Sequence, residues 1–372
     1  MSNTISMVDL PRIHAPYQND LDEAIRSVVH GGGYIGGPVV KEFEAKAASF
    51  LGAPVIGVGN GTDALQIALM ALGIKAGDEV IVPAFTYAAS AEVIDLLGGV
   101  AVWCDVNEST FTIDPNSVRA VLSDKTIAII AVHLYGQCAD IEALETIAPG
   151  IPIVEDTAQA FGAAFTKGRY AGKYAGTVGA IGTFSFFPTK NLGALGDGGA
   201  IASTNDQLLA KAKSIASHGQ SEKYRHDQIG VNSRLDPIQA AALKVKLDHL
   251  PQAIDSKVAI AGRYLDTFRS LRGITLPTTA SFSIHTYHQF TLRIQSGQRE
   301  AFTAFMLLQG IATMIYYPIP LHKQKAYMHF VPRTSLEVSE RLSDCVVSLP
   351  VHEALENHEI LAIENAVTKY FS

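Results

Sequence analysis

The sequence predicts an α/β fold with a mostly parallel, seven-stranded sheet flanked by helices, followed by a smaller C-terminal α+β domain. Between residues 55 and 203, seven short runs rich in apolar and β-branched residues alternate with helical stretches. Several of these runs are apolar at every position, as is typical of strands that are covered on both faces. The alternation of strands and helices favours a parallel sheet with helices on both sides.

The first fifty residues are predicted to be helical, over Tyr17–His30 and again from Pro38, because proline is tolerated in a first helical turn. The predicted strands that follow are Val55–Val58, Glu79–Val82, Val100–Asp105, Ile127–Val132, Ile153–Glu155, Ile181–Phe187 and Ala200–Ser203. The predicted helices are Asp63–Leu72, Ala88–Leu97, Ser117–Leu122, Ile141–Ile147 and Asp206–Ser217. The stretch Phe161–Gly179 is predicted to be a loop or an irregular hairpin.

The C-terminal part of the chain has a different pattern. It begins with two predicted helices, Asp236–Leu250 and Ile254–Leu271, and a connector rich in Pro, Ser and Thr at Thr275–Ser283. A mixed unit follows, with the strand Gln289–Ile294, the helix Arg299–Gln309 and the final helix His358–Phe371. We therefore divide the chain into an N-terminal helical segment (1–50), a large domain (51–250) and a small domain (251–372).

Composition and charge exclude several classes of protein. The chain has 372 residues and a net charge of -7, so it lacks the basic footprint of a nucleic-acid-binding protein. The apolar run Ile127–Val132 is far shorter than the roughly 20 residues of a membrane span, and no secretory signal is recognisable. Three cysteines without a CxxC pair suit a reducing compartment. We therefore expect a cytoplasmic protein that binds neither nucleic acid nor membrane.

Ligands of doubly wound sheets bind beyond the carboxyl ends of the strands. There, the segment Gly57–Asp63 (GVGNGTD) follows a predicted strand and opens a predicted helix. Its small residues and helix N-terminus suit a phosphate group, although an ordinary glycine-rich turn is an equally good interpretation. Its spacing differs from the dinucleotide-binding fingerprint and from the P-loop.

Two charged residues also follow apolar strands. Asp156 is placed either to hold the protonated ring nitrogen of a pyridine cofactor or to cap a helix. Lys190 is placed either to act as a Schiff-base nucleophile or to lie in solvent. Tyr87 either stacks on a flat cofactor or packs in the core. A phosphate cradle, a pyridinium partner and a lysine at one sheet edge together indicate a site for pyridoxal phosphate.

No metal site is predicted, because the sequence has no HExxH motif and His285 and His288 have no further ligand in range. The sequence also lacks a GxSxG elbow, which argues against a hydrolase.

With these residues in place, the sequence resembles the DegT/StrS-type sugar aminotransferases over nearly its whole length. These are fold type I enzymes that use pyridoxal phosphate to aminate ketosugars attached to nucleotides. The motifs that carry the resemblance include NGTDAL (60–65), PAFTY (83–87), EDTAQAFGA (155–163), SFFPTKNLG (185–193), GVNSRLD (230–236) and YYPIPLHKQ (316–324).

The resemblance implies a role for each residue of the cofactor site. Lys190 would form the Schiff base with the cofactor and transfer protons during catalysis, and Asp156 would pair with the ring nitrogen. Gln159 would bond the ring hydroxyl oxygen, and Tyr87 would stack on the ring. The phosphate would be held by Gly61, Thr62 and Ser185.

The resemblance also implies a homodimer with shared active sites, because Asn232 would reach the phosphate of the neighbouring subunit. Only 17% of the residues are charged, against roughly 25% on average, which hints at a large buried interface. The residues that match the sugar pocket of relatives are Gly32, Tyr34, Arg234, Tyr317 and His322.

The reaction that the resemblance implies is a ping-pong transamination. L-glutamate would convert the cofactor to pyridoxamine phosphate and leave as 2-oxoglutarate, and a UDP- or dTDP-linked 3-oxo-hexose would then be aminated. Three alternatives stay open: a 4-keto-6-deoxyhexose aminotransferase of the same family, a regulatory protein that binds pyridoxal phosphate without turnover, and a nicotinamide dehydrogenase.

Overall fold

The computed structural model describes residues 4–372. Its helices are α1 (Leu10–His14), α2 (Gln18–Gly31), α3 (Pro38–Leu51), α4 (Gly61–Leu72), α5 (Ala89–Leu96), α6 (Pro115–Val121), α7 (Ile141–Ile147), α8 (Asp206–Ala216), α9 (Pro237–Phe268), α10 (Arg299–Leu308), α11 (Glu337–Cys345) and α12 (Asn357–Phe371). Its strands are β1 (Val55–Val58), β2 (Glu79–Pro83), β3 (Val100–Cys104), β4 (Thr126–Val132), β5 (Ile153–Asp156), β6 (Ala164–Phe165), β7 (Ile181–Ser185), β8 (Gly199–Ala202), β9 (Gln220–Glu222), β10 (Arg225–His226), β11 (Ile274–Thr275), β12 (Ser283–Ile284), β13 (Phe290–Ile294) and β14 (Val346–Leu349).

The central sheet has seven strands in the order β1-β8-β7-β5-β4-β2-β3. The pairs β2/β3, β2/β4, β4/β5 and β5/β7 are parallel, whereas β8 runs antiparallel to both β1 and β7. Nearly every strand residue is buried, because helices cover both faces of the sheet. The predicted fold class is therefore confirmed, and each predicted strand lies within two residues of its observed bounds.

The topology places one functional edge on this sheet. Because β1 and β7 both run antiparallel to β8, the carboxyl ends of β1, β7, β5 and β4 lie on the same side. The turn after β1 leads directly into α4, whose N-cap residue Asn60 accepts a hydrogen bond from the backbone N–H of Asp63 at 2.8 Å. The segments singled out in the sequence therefore meet at this edge.

Helix α9 corrects one sequence-based prediction. The sequence predicts two helices that separate near Pro251, but a single helix of 32 residues runs through this proline. Proline costs a helix one backbone hydrogen bond. Here the helix is anchored on both sides of it, by Leu247 and Ile254 in one apolar cluster and by Tyr264 in another. This packing outweighs the local cost, and the domain boundary near residue 250, which lies inside α9, stays a prediction.

The C-terminal region has its own small antiparallel sheet, in the order β11-β13-β14. Helices α10 and α12 pack against it through a separate apolar cluster that contains Phe302, Ile363 and Val367. Helix α11 and strand β14, which are short, were not predicted from the sequence. Strand β6 lies in the stretch predicted as a loop or an irregular hairpin, and it pairs with β12 at the end of the connector. Within residues 4–372, no helix combines the length and the apolar character needed to cross a membrane.

Candidate active site

A cavity of about 740 Å³ lies at the carboxyl edge of the central sheet. Its lining contains most of the residues that the sequence analysis selected, although they are distant from one another in the chain. The selected residues that line it are Gly61, Thr62, Tyr87, Asp156, Gln159, Ser185, Lys190 and Tyr317. Convergent polar groups in a large cavity are typical of a ligand site.

Close packing alone explains why glycine occupies two positions of the segment Gly57–Asp63. A Cβ atom on Gly57 would lie 2.8 Å from Cβ of Leu235, and one on Gly61 would lie 2.6 Å from Cβ of Ser185. Gly61 therefore brings the first turn of α4 directly against the end of β7. As a result, the N–H groups at the start of α4 and the hydroxyl groups of Thr62 and Ser185 line the same cavity. A helix N-terminus with two hydroxyl donors is suited to a phosphate group.

Asp156 is the last residue of β5, and its side chain is only 5% exposed. The Ser90 hydroxyl group donates a hydrogen bond to Oδ2 of Asp156 at 2.8 Å, and the Ala158 N–H donates one to Oδ1 at 3.2 Å. Ser90 lies on α5 and is fully buried. It was missed by the sequence analysis, because nothing in its local sequence marks a partner 66 residues away.

Lys190 lies in the turn after β7 and is half-buried. Burial lowers the pKa of its ammonium group to about 8, although the negative charge of Asp156 opposes this effect. A minor fraction of Lys190 is therefore neutral near physiological pH, and the neutral form is the one that a nucleophilic amine requires.

Gln159 has both ends of its side-chain amide engaged. Its Oε1 accepts a hydrogen bond from the Tyr135 backbone N–H at 2.8 Å, and its Nε2 donates one to the Tyr317 hydroxyl group at 2.9 Å. Burial raises the pKa of Tyr317 far above its usual value, so this hydroxyl group stays protonated. Gln159 is thus held between the turn after β4 and the 310–320 region, and its second side-chain N–H has no hydrogen-bond partner among residues 4–372.

A buried pair next to Asp156 was also missed. The Ala139 N–H donates to Nδ1 of His133 at 2.9 Å, so the ring carries its proton on Nε2 and donates it to Glu155 at 2.9 Å. Burial alone would raise the pKa of Glu155, but His133 and the N–H groups of Gly179 and Gly176 outweigh it and keep this pKa below its usual range. The network anchors the end of β5, from which Asp156 projects.

Five of the selected residues lie outside the cavity of this chain. Gly32 ends α2 in a left-handed conformation, and Tyr34 is 52% exposed. Asn232 is exposed and accepts a hydrogen bond from the half-buried Arg234. His322 is buried, and its ring bonds Glu340 at 3.0 Å. Their predicted roles towards a sugar or a neighbouring subunit stay predictions. Within the described residues, no group of three or more His, Cys, Asp or Glu side chains is arranged to hold a metal ion.

The model of the DegT/DnrJ/EryC1/StrS aminotransferase family matches residues 17–368. The chain belongs to this family. It is similar to UDP-2-acetamido-2-deoxy-3-oxo-D-glucuronate aminotransferase of Pseudomonas aeruginosa, with 41% identity over 98% of this chain and 99% of the relative. It is also similar to dTDP-3-amino-3,4,6-trideoxy-alpha-D-glucose transaminase of Streptomyces venezuelae, with 38% identity over 98% of this chain and 96% of the relative.

A crystal structure of S. venezuelae DesV in complex with a ketimine intermediate superposes with a TM-score of 0.94. The two chains are 37% identical, and the match covers 99% of each. The DegT/DnrJ/EryC1/StrS enzymes are aminotransferases that depend on pyridoxal phosphate, so this chain is a pyridoxal-phosphate-dependent aminotransferase. The dehydrogenase alternative is therefore wrong.

The residues of the cavity fit this cofactor. The first turn of α4 and two hydroxyl groups suit its phosphate, and the buried carboxylate of Asp156 suits its protonated ring nitrogen. Lys190 lines the same cavity, and it lies close enough to Asp156 for the carboxylate charge to raise the pKa of its amine. The exposed ring of Tyr87 at the cavity wall leaves an aromatic face for a flat ligand.

Proposed function

We propose that this aminotransferase transfers the amino group of L-glutamate to the C3 ketone of a hexose linked to UDP or dTDP. The observation that carries the proposal is Lys190, which lines the cavity with Asp156 in a chain similar to two enzymes whose names place the oxo or amino group at C3. One of these names specifies a UDP-sugar and the other a dTDP-sugar, so both nucleotides belong to the proposal.

Pyridoxal phosphate supplies an electron sink that stabilises negative charge on the carbon next to the transferred nitrogen. Asp156, fixed by Ser90, would keep a proton on the ring nitrogen of the cofactor and so maintain this property. Lys190 would serve as the general base and general acid that moves a proton during the transfer. A pKa of about 8 suits this exchange, because the amine can both accept and release a proton near neutral pH.

The remaining residues orient the ligands. Gly61, Thr62 and Ser185 would bind the phosphate, Gln159 would use its second side-chain N–H for the ring hydroxyl oxygen, and Tyr87 would stack on the ring. In a homodimer, Asn232 reaches the phosphate of the neighbouring site. The sugar is placed by Gly32, Tyr34, Arg234, Tyr317 and His322. A homodimer would also cover exposed apolar side chains such as Ile35 and Ile229.

The test is an assay that depends on glutamate, with UDP- and dTDP-linked 3-oxo and 4-oxo hexoses as acceptors. We expect amination of a 3-oxo sugar, bleaching of the yellow holoenzyme by glutamate, and loss of both in Lys190→Ala. Acceptance of only a 4-oxo sugar would replace C3 by C4 in the proposal. A yellow protein that neither responds to glutamate nor aminates any sugar would favour the regulatory alternative. Sedimentation of the holoenzyme as a monomer would overturn the homodimer.

A further inference from the structure

A second cavity, of about 190 Å³, adjoins the active-site cavity. We call it the side chamber. Its lining shares Val8, Lys190, His288 and Val351 with the active-site cavity, and most of the rest comes from α1, the middle of α9, the turn around Lys190 and the loop after β14. One water molecule requires roughly 10–15 Å³ of such space, so the side chamber has room for part of an organic molecule. Because Lys190 lines both cavities, a ligand that reacts at Lys190 lies next to the side chamber.

Two lysines of α9 face the side chamber. Lys246 and Lys257 are eleven residues apart, which places them on the same side of the helix, and they are only 8% and 6% exposed. Nζ of Lys257 lies 3.7 Å from Glu353 and 3.2 Å from Oδ1 of Asn191. In the part of the chain that the structure describes, Lys246 has no carboxylate oxygen within 4 Å. The negative charge of Glu353, which lies further away, partly offsets the lowering of the Lys246 pKa by burial.

The histidines of the side chamber supply no negative charge to the two lysines, and both His14 and His352 have lowered pKa values. Burial lowers the pKa of His14 to about 4, and burial also holds the pKa of His352 below its usual value, so both rings are neutral near pH 7. Nε2 of His14 and Nδ1 of His352 have no hydrogen-bond partner among residues 4–372. The two buried ammonium groups of α9 therefore face a single carboxylate. An unpaired buried charge is costly, and a bound anion removes this cost.

We propose that the side chamber binds a carboxylate of the amino donor, with Lys246 as its ionic partner, while the reacting nitrogen of the donor lies at Lys190. This inference rests on the proposed function and adds the donor subsite to it. A dicarboxylic amino acid suits the arrangement, because it presents a carboxylate at a distance from its amine. The neutral His14 ring, on its partnerless Nε2, supplies a second polar contact.

The first test compares the two half-reactions of the holoenzyme. In Lys246→Gln, we expect the glutamate concentration for half-maximal bleaching to rise at least tenfold, while the reaction of the pyridoxamine form with the ketosugar stays unchanged. Lys244→Gln is the matched control, because Lys244 lies on the same helix but pairs with Glu42 at the surface. An unchanged glutamate dependence in Lys246→Gln would overturn the subsite.

The second test measures binding without turnover, by calorimetry of the holoenzyme with glutarate, a dicarboxylate that has no amine. We expect wild type and Lys244→Gln to bind glutarate equally, and Lys246→Gln to bind it at least tenfold more weakly. If chloride binds as tightly as glutarate at the same ionic strength, the site holds an adventitious ion only, and the proposal is overturned. Glutarate binding that depends on Lys246 in an enzyme that aminates no ketosugar would refute the proposed function but keep the subsite.

A third variant changes the affinity in the opposite direction, which damage to the fold would not do. Glu353→Gln removes the carboxylate that competes with the ligand for the two lysines, so we expect it to bind glutarate more tightly than wild type. Weaker glutarate binding by Glu353→Gln than by wild type would overturn the proposal. This test remains available if Lys246→Gln does not fold.

Discussion

Burial disfavours the charged form of Lys190, so we expect this side chain to destabilise the cofactor-free protein. Since one pKa unit corresponds to about 1.4 kcal/mol, the fall in the pKa of Lys190 from 10.5 to about 8 corresponds to at most about 3.5 kcal/mol of lost stability in the charged form. Lys190 is only half-buried, and solvent screening reduces this to about 1–3 kcal/mol. We therefore expect Lys190→Met to stabilise the cofactor-free protein by about this amount at pH 7.

The sign of the pH dependence follows from linkage. The folded state binds fewer protons than the unfolded state between pH 8 and 10.5, so wild-type stability rises with pH in this window. The advantage of Lys190→Met is therefore complete below pH 8 and disappears towards pH 10.5. Lys246 titrates in the same range in both proteins, so the difference between their unfolding curves isolates Lys190.

The assay is unfolding of both cofactor-free proteins in urea at pH 7 and at pH 10. Lys190→Arg, which keeps a positive charge, is the control and should show no gain at pH 7. A Lys190→Met protein that is no more stable than wild type at pH 7, or whose advantage persists unchanged at pH 10, would refute the reasoning.

Three further predictions concern the support of the site and of the fold. Ser90→Ala removes a hydrogen bond worth about 1.5–3 kcal/mol to a charged group, so equilibrium dialysis should show about tenfold or more weaker binding of pyridoxal phosphate. Gly61→Ala forces the first turn of α4 away from Ser185 and should lower the free energy of unfolding by about 1–3 kcal/mol, whereas Gly262→Ala, whose Cβ meets open space, should not lower it. Arg12 lowers the pKa of Glu359 to about 2, so Glu359→Gln should cost about 2–3 kcal/mol at pH 7, and the deficit should shrink as the pH falls from about 4.5 towards 2.

The central sheet and the principal site residues were predictable because both depend on short-range patterns. The strands β1–β5, β7 and β8 are buried on both faces, so their apolar runs are visible in the sequence. Polar residues directly after such runs, such as Asp156 and Lys190, are then placed at one edge by topology alone. The cavity confirms that this edge brings them together.

The failures have a different physical origin. The interruption predicted at Pro251 was wrong, because contacts with two separate apolar clusters maintain α9 through it. Ser90 and His133 were missed because their importance depends on partners 66 and 22 residues away. A serine in an apolar helix and a histidine after a strand have no local property that identifies such a partner. These residues become visible only when the folded chain is present.

The same distinction applies to charge within the active site. The position of Lys190 after a buried strand is compatible with a Schiff-base nucleophile or with a solvated lysine. Burial favours the nucleophile, because it lowers the pKa of the ammonium group to about 8 against the opposing charge of Asp156. Lys246 has the same property, a pKa lowered to about 8 by burial, at a position that the sequence did not mark. The side chamber and the active-site cavity share Lys190 in their linings, so the proposed donor carboxylate at Lys246 would add a second anion to the site besides the cofactor phosphate.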